Sequence, residues 1–271
     1  MTEPVRIAVT GAAGRMGRML VAAVAGREDS VLAAAVERPG SPAIGDDAGT
    51  LAGIAPLAVP VGDDLAAVIA AVDVVIDFTT PEATRDHAAI AARAGRGLVV
   101  GTTGLGEAEL AALEAAAERA AVVRAPNFSV GVNLTLRLLA LAAEVLGDDV
   151  DVEIVEMHHR HKVDAPSGTA LRMGEVVAAA RGRPLPDLAE HGREGRTGAR
   201  DRARIGFHAL RGGDVVGDHT IVFAADGERL EITHRASDRA GFAAGAVRAA
   251  VWAARREPGA YDMDDVLALG D

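Results

Sequence analysis

Three of the eight histidines and the only lysine of this chain stand together in the segment His158-His159-Arg160-His161-Lys162. Every other basic side chain is arginine, which stays protonated and presents a flat fork of donors. Lysine is a compact cation that can release its proton when it is desolvated or crowded by other cations. The segment therefore predicts a site of proton transfer, with a solvated basic surface as the structural alternative.

A predicted helix start follows this cluster, in the sequence DAPSGTA of residues 164–170. Pro166 disfavours helix immediately before it, and Ser167 is a good N-cap. The amides of Gly168 and Thr169 then point outward from the helix start and can bind a carboxylate or a phosphate. Capping alone would explain Ser167 and Thr169, but the neighbouring cations favour an anion-binding site.

A metal ion is the rival interpretation of the same cluster, because its three histidines and Asp164 could act as ligands. Arg160 and Lys162 would repel a cation, and no Cys or Glu joins the cluster closely in the sequence. We therefore expect no metal at this site.

A second candidate site is the glycine-rich segment GAAGRMG near the N-terminus, between a predicted strand and a predicted helix. Gly11 suits the tight turn, Gly14 the close approach of a pyrophosphate, and Gly17 the contact of helix and sheet. Glu37 ends the next strand 20 residues after Gly17, where it can bind ribose hydroxyls, and Arg38 could pair with a 2′-phosphate. The pattern predicts a dinucleotide site, with an ordinary strand-to-helix turn as the alternative.

Two further loops follow predicted strands at the carboxyl edge, where open parallel sheets bind their ligands. Their residues are Gly101, Thr102, Thr103 and Gly104 in the first loop, and Ala125, Pro126, Asn127 and Phe128 in the second.

The first ~125 residues alternate short β-branched runs with alanine-rich helical stretches, which is typical of a parallel sheet covered by helices. Strands are predicted over residues 5–10, 31–36, 74–78, 98–101 and 121–124, and helices over 15–25, 81–94 and 107–120. This half predicts a Rossmann-like, doubly wound α/β fold.

The later part of the chain predicts a second, α+β domain. A helix over residues 130–146 and a strand over 152–157 precede the histidine cluster. Three strand-like runs over 204–210, 215–225 and 229–234 are expected to pair as an antiparallel or mixed sheet, because consecutive strands are usually neighbours. The helical tail is expected to return to the first domain. The predicted domains are thus 1–127 with 238–271 for the dinucleotide, and 128–237 for substrate and oligomerisation.

Composition excludes several functional classes. A net charge of −11 disfavours nonspecific nucleic-acid binding, which needs clustered basic groups. The absence of cysteine excludes disulfides and thiolate chemistry, and no apolar run approaches the ~20 residues of a membrane span. We see no signal peptide and expect a cytoplasmic protein without nucleic-acid or membrane partners.

Taken together, the motifs GAAGRMG, GTTG, APNFSVGVN, EMHHRHKVDAPSGTA, RGGDVVGDHT and EITHRASDR resemble the dihydrodipicolinate reductase family. The resemblance covers essentially the whole chain, and HHRHKxDAPSGTA is highly specific to that family. It implies an NADH- or NADPH-dependent reduction of the cyclic dicarboxylate 4-hydroxy-tetrahydrodipicolinate, on the diaminopimelate route to lysine. It also implies a cytoplasmic homotetramer.

The resemblance further implies a role for each residue that matches a family motif. His158 is similar to the family's proton donor and acceptor, and Lys162 to its proton donor. His159 is similar to a substrate ligand, and Ser167, Gly168 and Thr169 lie where a substrate carboxylate is held. The implied cofactor contacts are Gly11, Ala12, Ala13, Gly14, Arg15, Met16, Glu37, Arg38, Gly101, Thr102, Thr103, Ala125, Pro126, Asn127 and Phe128. Pro126 occupies a variable position of that motif, which leaves the backbone contacts of its loop open.

Two other functional classes remain open at this point. A related two-domain dehydrogenase would share the nucleotide-binding half, but it gives no reason for HHRHK before DAPSGT. A non-catalytic sensor of nicotinamide nucleotides would need only the first domain and a partner surface. Turnover of an amino acid with NAD⁺ would favour the dehydrogenase, and nucleotide binding without turnover would favour the sensor.

Overall fold

The computed structural model describes residues 3–270, which form two compact units. The divisions between the units fall between Val130 and Gly131 and between Arg239 and Ala240. The sequence expectation placed these divisions after residues 127 and 237. The first unit therefore contains both the N-terminal half and the C-terminal tail of the chain.

The first unit is built on a parallel sheet of seven strands, numbered here in chain order. They are β1 (Val5–Thr10), β2 (Ser30–Val36), β3 (Val61–Gly62), β4 (Val74–Asp77), β5 (Gly97–Val100), β6 (Ala121–Arg124) and β12 (Gly259–Tyr261). Their order across the sheet is β12-β6-β5-β4-β1-β2-β3, and every adjacent pair is parallel. This order winds outward from β1 in both directions and confirms the predicted fold class.

Helices cover this sheet. They are α1 (Arg15–Ala25), α2 (Ala48–Leu51), α3 (Leu65–Val68), α4 (Pro81–Ala94), α5 (Glu107–Ala117), α9 (Ala240–Ala253) and α10 (Met263–Leu267), with a 3₁₀ turn at Ile69–Ala71. The tail returns as predicted, because α9 contacts α1 and the strands β4, β5 and β6. Local signals explain the bounds of α4, which has Thr80 as N-cap, Pro81 at its first position and Gly95 at φ 62° after its end.

The second unit contains a five-stranded mixed sheet. Its strands are β7 (Asp151–His158), β8 (Ala189–His191), β9 (Ile205–Arg211), β10 (Gly217–Ala224) and β11 (Arg229–Ala236), and its helices are α6 (Val130–Leu146), α7 (Gly168–Ala180) and α8 (Leu185–Leu188). The strand order is β11-β10-β7-β9-β8. The mixed sheet is confirmed. The expectation that the three late strands are consecutive neighbours is right for β10 and β11, which pair antiparallel, and wrong for β9 and β10. Strand β7 lies between β9 and β10, parallel to the first and antiparallel to the second.

The alternation of side chains along β7 positions the site. Val152, Ile154, Glu156 and His158 are buried on one face, whereas the residues between them are partly exposed on the other. The apolar members of this face pack in the core with Leu139 of α6 and with other buried side chains of α7, β9 and β10. The two polar residues therefore lie on the core face at the carboxyl end of the strand. Within residues 3–270, no helix is long and apolar enough to cross a membrane.

Candidate active site

The last two inward-facing residues of β7 form a buried pair. Nδ1 of His158 lies 2.6 Å from Oε2 of Glu156. The exposed fraction of the whole residue is 8% for His158 and 1% for Glu156. The expectation that no Glu lies close to the cluster is wrong. Glu156 precedes His158 by two residues, so the period of a strand places both side chains on the same face.

Glu156 has two further partners. Arg211, at the end of β9, donates from its two terminal nitrogens to the two carboxylate oxygens, at 2.8 Å each. The backbone N–H of Ser167 donates to Oε1 at 3.1 Å. Burial would raise the pKa of Glu156, but the hydrogen bonds from Arg211 and His158 outweigh it and lower that pKa. Glu156 is therefore an ionised acceptor that joins β7, β9 and the start of α7.

His219 of β10 completes this cluster. Its ring meets that of His158 edge to face, with centroids 5.1 Å apart, and its Nε2 lies 2.8 Å from Oγ of Ser167. Burial lowers the pKa of His219 to about 4, and the positive charge that His158 can carry acts in the same direction. His219 is therefore neutral near pH 7 and supports Ser167 without adding charge.

The loop after β7 carries the remaining residues of the cationic cluster. The rings of His159 and His161 lie 6.2 Å apart, and the buried Nδ1 of His159 has no hydrogen-bond partner among the described residues. Nζ of Lys162 lies 2.8 Å from each carboxylate oxygen of Asp164. This ion pair uses the residue that the metal hypothesis assigned as a ligand, and no set of three or more metal-ligating side chains is found within residues 3–270.

The start of α7 presents backbone donors beside the same cluster. Ser167 is the N-cap, and its Oγ accepts from the amide of Ala170 at 3.2 Å. The N–H of Leu171 is bonded to the carbonyl of Ser167. The amides of Gly168 and Thr169 are the first two of the helix, where no carbonyl of the helix can serve them. Both residues are at least partly exposed, so a carboxylate can reach these two donors.

In the first unit, the glycine-rich loop has the tight turn predicted at Gly11, and the atoms nearest to Gly17 belong to this turn rather than to a strand. Gly11 has φ 63°, and a side chain on Gly17 would overlap the carbonyl oxygen of Gly11. The amide of Ala13 donates to Oε1 of Glu37 at 2.9 Å, so the carboxylate at the end of β2 is held against this loop.

The amides of this loop are not all available to an anion. Those of Ala12 and Gly14 are bonded to backbone carbonyls, and that of Ala13 to Glu37. No described side chain caps α1, so the amides at its first positions, which include those of Arg15 and Met16, remain as donors for a pyrophosphate. The loop therefore fits a dinucleotide through the helix start more than through the turn itself.

The other two predicted loops also lie at carboxyl ends of the parallel strands. A side chain on Gly101 would overlap the ring of Phe78, so this loop and the one after β4 are in contact. Thr102 is buried, and its Oγ1 accepts from the amide of Thr79 at 3.0 Å. Thr103 and Gly104 are exposed.

In the loop after β6, Ala125 and Phe128 are buried, whereas Pro126 is exposed. The ring of Phe128 lies 5.4 Å from that of Phe78. Oδ1 of Asn127 accepts from the amide of Ser129 at 2.8 Å. The side chains of Thr102 and Phe128 thus hold the loops in place, which leaves their backbone and the exposed neighbours for ligand contacts.

No role was predicted from the sequence for three residues of this site, Glu156, Arg211 and His219. For Glu156 the signal was present, since it is a charged residue at an inward position of a strand that is otherwise apolar on that face. For Arg211 and His219 the only signal was their place in the motif RGGDVVGDHT.

Comparison with known proteins agrees with this arrangement. The family model described as dihydrodipicolinate reductase, N-terminus, matches residues 5–128, and the one described as dihydrodipicolinate reductase, C-terminus, matches residues 131–267. A 4-hydroxy-tetrahydrodipicolinate reductase of Alkalilimnicola ehrlichii is 63% identical over 97% of this chain and 99% of the relative. The reductase of the same name from Pseudomonas fluorescens is 60% identical over the same shares.

Solved structures add two comparisons. A dipicolinate-bound dihydrodipicolinate reductase from Paenisporosarcina sp. TG-14 has a TM-score of 0.77 at 28% identity, with 96% of this chain and 97% of that chain covered. An amine dehydrogenase from Mycobacterium smegmatis has a TM-score of 0.60 at 15% identity, with 96% and 95% covered. The second comparison concerns the fold alone.

Proposed function

This chain belongs to the dihydrodipicolinate reductase family, and from that premise we propose which of its residues carry the reaction. The protein is an oxidoreductase that reduces 4-hydroxy-tetrahydrodipicolinate to tetrahydrodipicolinate with a nicotinamide nucleotide, in the diaminopimelate pathway of lysine biosynthesis. The reaction consumes one hydride and one proton and releases one water. The protein must therefore bind a dicarboxylate, orient its ring and manage a proton.

One substrate carboxylate binds the amides of Gly168 and Thr169. The single observation that carries this assignment is that these two amides begin α7 directly after the cationic loop. Ser167 itself is already hydrogen-bonded to Glu156, Ala170 and His219. His159 binds the substrate as well, through the ring whose Nδ1 has no described partner. Ser167 contributes by fixing the helix start.

His158 and Lys162 exchange protons with the substrate. When bound, the nicotinamide supplies the hydride that reduces the ring. Water leaves the ring with its own proton, and Lys162 donates a proton to the negative charge that develops on the ring when the hydride is delivered. An ammonium suits this role because arginine could not release a proton. His158 acts as proton donor and acceptor through the ring nitrogen that Glu156 does not bind.

The first unit binds the nucleotide, and the enzyme uses either NADH or NADPH as its reductant. The amides of Arg15 and Met16 at the start of α1 hold the pyrophosphate, and Glu37 accepts hydrogen bonds from the ribose hydroxyls. Arg38 is exposed next to Glu37 and pairs with the 2′-phosphate of NADPH. The remaining contacts are Gly11, Ala12, Ala13, Gly14, Gly101, Thr102, Thr103, Ala125, Pro126, Asn127 and Phe128.

We also propose that the second unit binds substrate and mediates assembly into a homotetramer, and that the enzyme is cytoplasmic. Both statements rest on the family resemblance. Sedimentation equilibrium of the purified chain would test the assembly, and a mass close to that of a monomer or dimer would contradict it.

The decisive test is a coupled assay. Pyruvate and aspartate semialdehyde are supplied with the synthase that precedes this enzyme, and the loss of NADH or NADPH absorbance is followed. We expect oxidation of either nucleotide that depends on both the synthase and this chain. Binding of nucleotide without turnover would favour a sensor, and turnover of an amino acid with NAD⁺ would favour a different dehydrogenase.

A further inference from the structure

The orientation of the Glu156 carboxylate is fixed independently of His158. Arg211 binds both oxygens in a bidentate pair at 2.8 Å each, and the N–H of Ser167 binds Oε1 at 3.1 Å. A bidentate guanidinium fixes the plane of a carboxylate as well as its position. Oε2 therefore reaches His158 from a direction that β9 and the start of α7 determine.

The contact between Glu156 and His158 also determines which ring nitrogen carries a proton. An ionised carboxylate only accepts hydrogen bonds, so Nδ1 of His158 must be the donor across the 2.6 Å contact. In the neutral ring Nε2 then holds the lone pair, and in the cationic ring Nε2 holds the second proton. Nε2 lies beside Gly217, where an added side chain would come within 3.0 Å of it.

We propose that Glu156 is a positioning residue that holds His158 in the tautomer and orientation in which Nε2 exchanges the proton of the reaction. The proposal rests on the proposed role of His158. Arg211 contributes to this positioning, because it keeps the Glu156 carboxylate ionised and in place. The arrangement resembles the general case in which a base is oriented by a third group.

The test starts with Glu156→Gln, which keeps the size of the side chain but replaces one acceptor oxygen with a donor. At the position of Oε2 the new NH₂ group faces the donors of His158 and Arg211, and at the position of Oε1 it faces those of Ser167 and Arg211. We expect kcat to fall by about tenfold to a hundredfold, while KM and nucleotide affinity change by less than about twofold. The pH profile of kcat/KM should also differ from that of the wild type, because the charge that faces the His158 ring is removed.

The variant retains the other charged or titratable groups around this pair. They are Arg211 on β9, which binds residue 156, His219 on β10, whose ring contacts that of His158, and Lys162 and His234, whose charges act on His219.

Glu153→Gln is the matched control, because Glu153 is another networked carboxylate of β7 but faces the opposite side of the sheet. Glu153 accepts from Arg193, Arg200 and His208 at 2.7, 2.8 and 2.7 Å. The control should leave kcat and the pH profile within about twofold of the wild type. A comparable loss in the control would show that any such substitution in β7 lowers activity, and it would overturn the proposal.

A double-mutant cycle with His158→Gln separates positioning from general structural damage. If Glu156 acts through His158, adding Glu156→Gln to the His158→Gln variant should change kcat by less than about twofold. An equal loss in both backgrounds would make Glu156 merely structural and overturn the proposal. Full activity of His158→Gln alone would instead overturn the proposed role of His158, and the positioning role with it.

Glu156→Asp covers the case in which the glutamine variant does not fold. The shorter carboxylate keeps its charge and can stay on Arg211, but it draws back from His158. We expect the folded variant to lose at least about tenfold in kcat with KM retained. Wild-type kcat together with a wild-type pH profile would contradict the proposal.

Discussion

Nζ of Lys162 lies 2.8 Å from both carboxylate oxygens of Asp164. The lysine side chain is only 20% exposed, whereas that of Asp164 is 55% exposed. The hydrogen bond from Lys162 is the main reason that the pKa of Asp164 is lowered. The backbone carbonyl of Asp164 in turn accepts from Arg211 at 2.6 Å, so the only ammonium side chain of the protein is held in the loop that leads from His158 to α7.

The first prediction concerns the variant Lys162→Arg, which tests whether Lys162 donates a proton or only supplies a positive charge. Arginine keeps the positive charge and can bind a carboxylate, but it does not release a proton at any accessible pH. General acid catalysis contributes roughly 10²- to 10⁴-fold, so we expect the arginine variant to lose about that much in kcat, almost as much as Lys162→Met. The measurement is kcat for the wild type and both variants in the coupled assay.

Nucleotide affinity is the internal control for these variants, because the proposed nucleotide contacts all lie in the first unit. It should stay unchanged in both. An arginine variant that keeps more than about a third of the wild-type kcat would contradict the role as proton donor. Lys162 would then serve only to bind the anionic substrate.

The second prediction concerns recognition of two carboxylates. A planar ring dicarboxylate such as pyridine-2,6-dicarboxylate should compete with substrate, because one carboxylate can bind the amides of Gly168 and Thr169 and the other the ring of His159. Pyridine-2-carboxylate should inhibit much more weakly, since it leaves one of these sites unfilled. Competitive inhibition constants of the two compounds provide the test. Equal inhibition would mean that the pocket recognises a single carboxylate.

Much of the fold could be predicted because local signals agree with the tertiary structure. The bounds of α1, α4, α6, β1 and β6 coincide with those expected from periodicity and caps. Strands β3, β8 and β12 were missed because each has only two or three residues, too few for a period to show. The position of β7 between β9 and β10 was missed because strand pairing depends on long-range contacts that no local pattern encodes.

The site was predictable where its residues are adjacent in sequence. His158, Lys162 and the start of α7 lie within one short segment. Arg211 is 55 residues from Glu156, and His219 is 52 residues from Ser167, so only the folded sheet brings these pairs together. Likewise, a glycine-rich motif does not predict that the amide of Ala13 is hydrogen-bonded to Glu37.

The third prediction concerns the choice of nucleotide. Glu37 suits the ribose hydroxyls of NADH but repels the 2′-phosphate of NADPH, and Arg38 offsets that repulsion through charge-assisted hydrogen bonds. We expect kcat/KM for the two nucleotides to lie within about tenfold, or about 1.4 kcal/mol. Arg38→Ala should raise KM for NADPH selectively. An equal loss for NADH would show that Arg38 supports the loop rather than the phosphate.

The last prediction follows from the burial of His219. Its whole-residue exposure is 4%, and burial lowers its pKa in the folded protein to about 4, from an ordinary value of 6.5. Between these two values the unfolded chain binds a proton at this position that the folded protein does not. The free energy of unfolding must therefore decrease as the pH falls from 6.5 to about 4. Above pH 6.5, His219 is neutral in both the folded and the unfolded protein, and its burial carries no such loss of stability.

His219→Gln removes this titration while keeping a side chain that can bind Oγ of Ser167. A pKa difference of this size corresponds to about 3 kcal/mol, so the wild type should lose up to about that much more stability than the variant between pH 7.5 and pH 4. Urea unfolding of both proteins at several pH values and one fixed protein concentration measures the difference. Groups that do not interact with His219, such as Glu153 with its lowered pKa, affect both proteins alike and cancel. Parallel pH dependences would show that His219 takes up its proton in the folded protein as readily as in the unfolded chain.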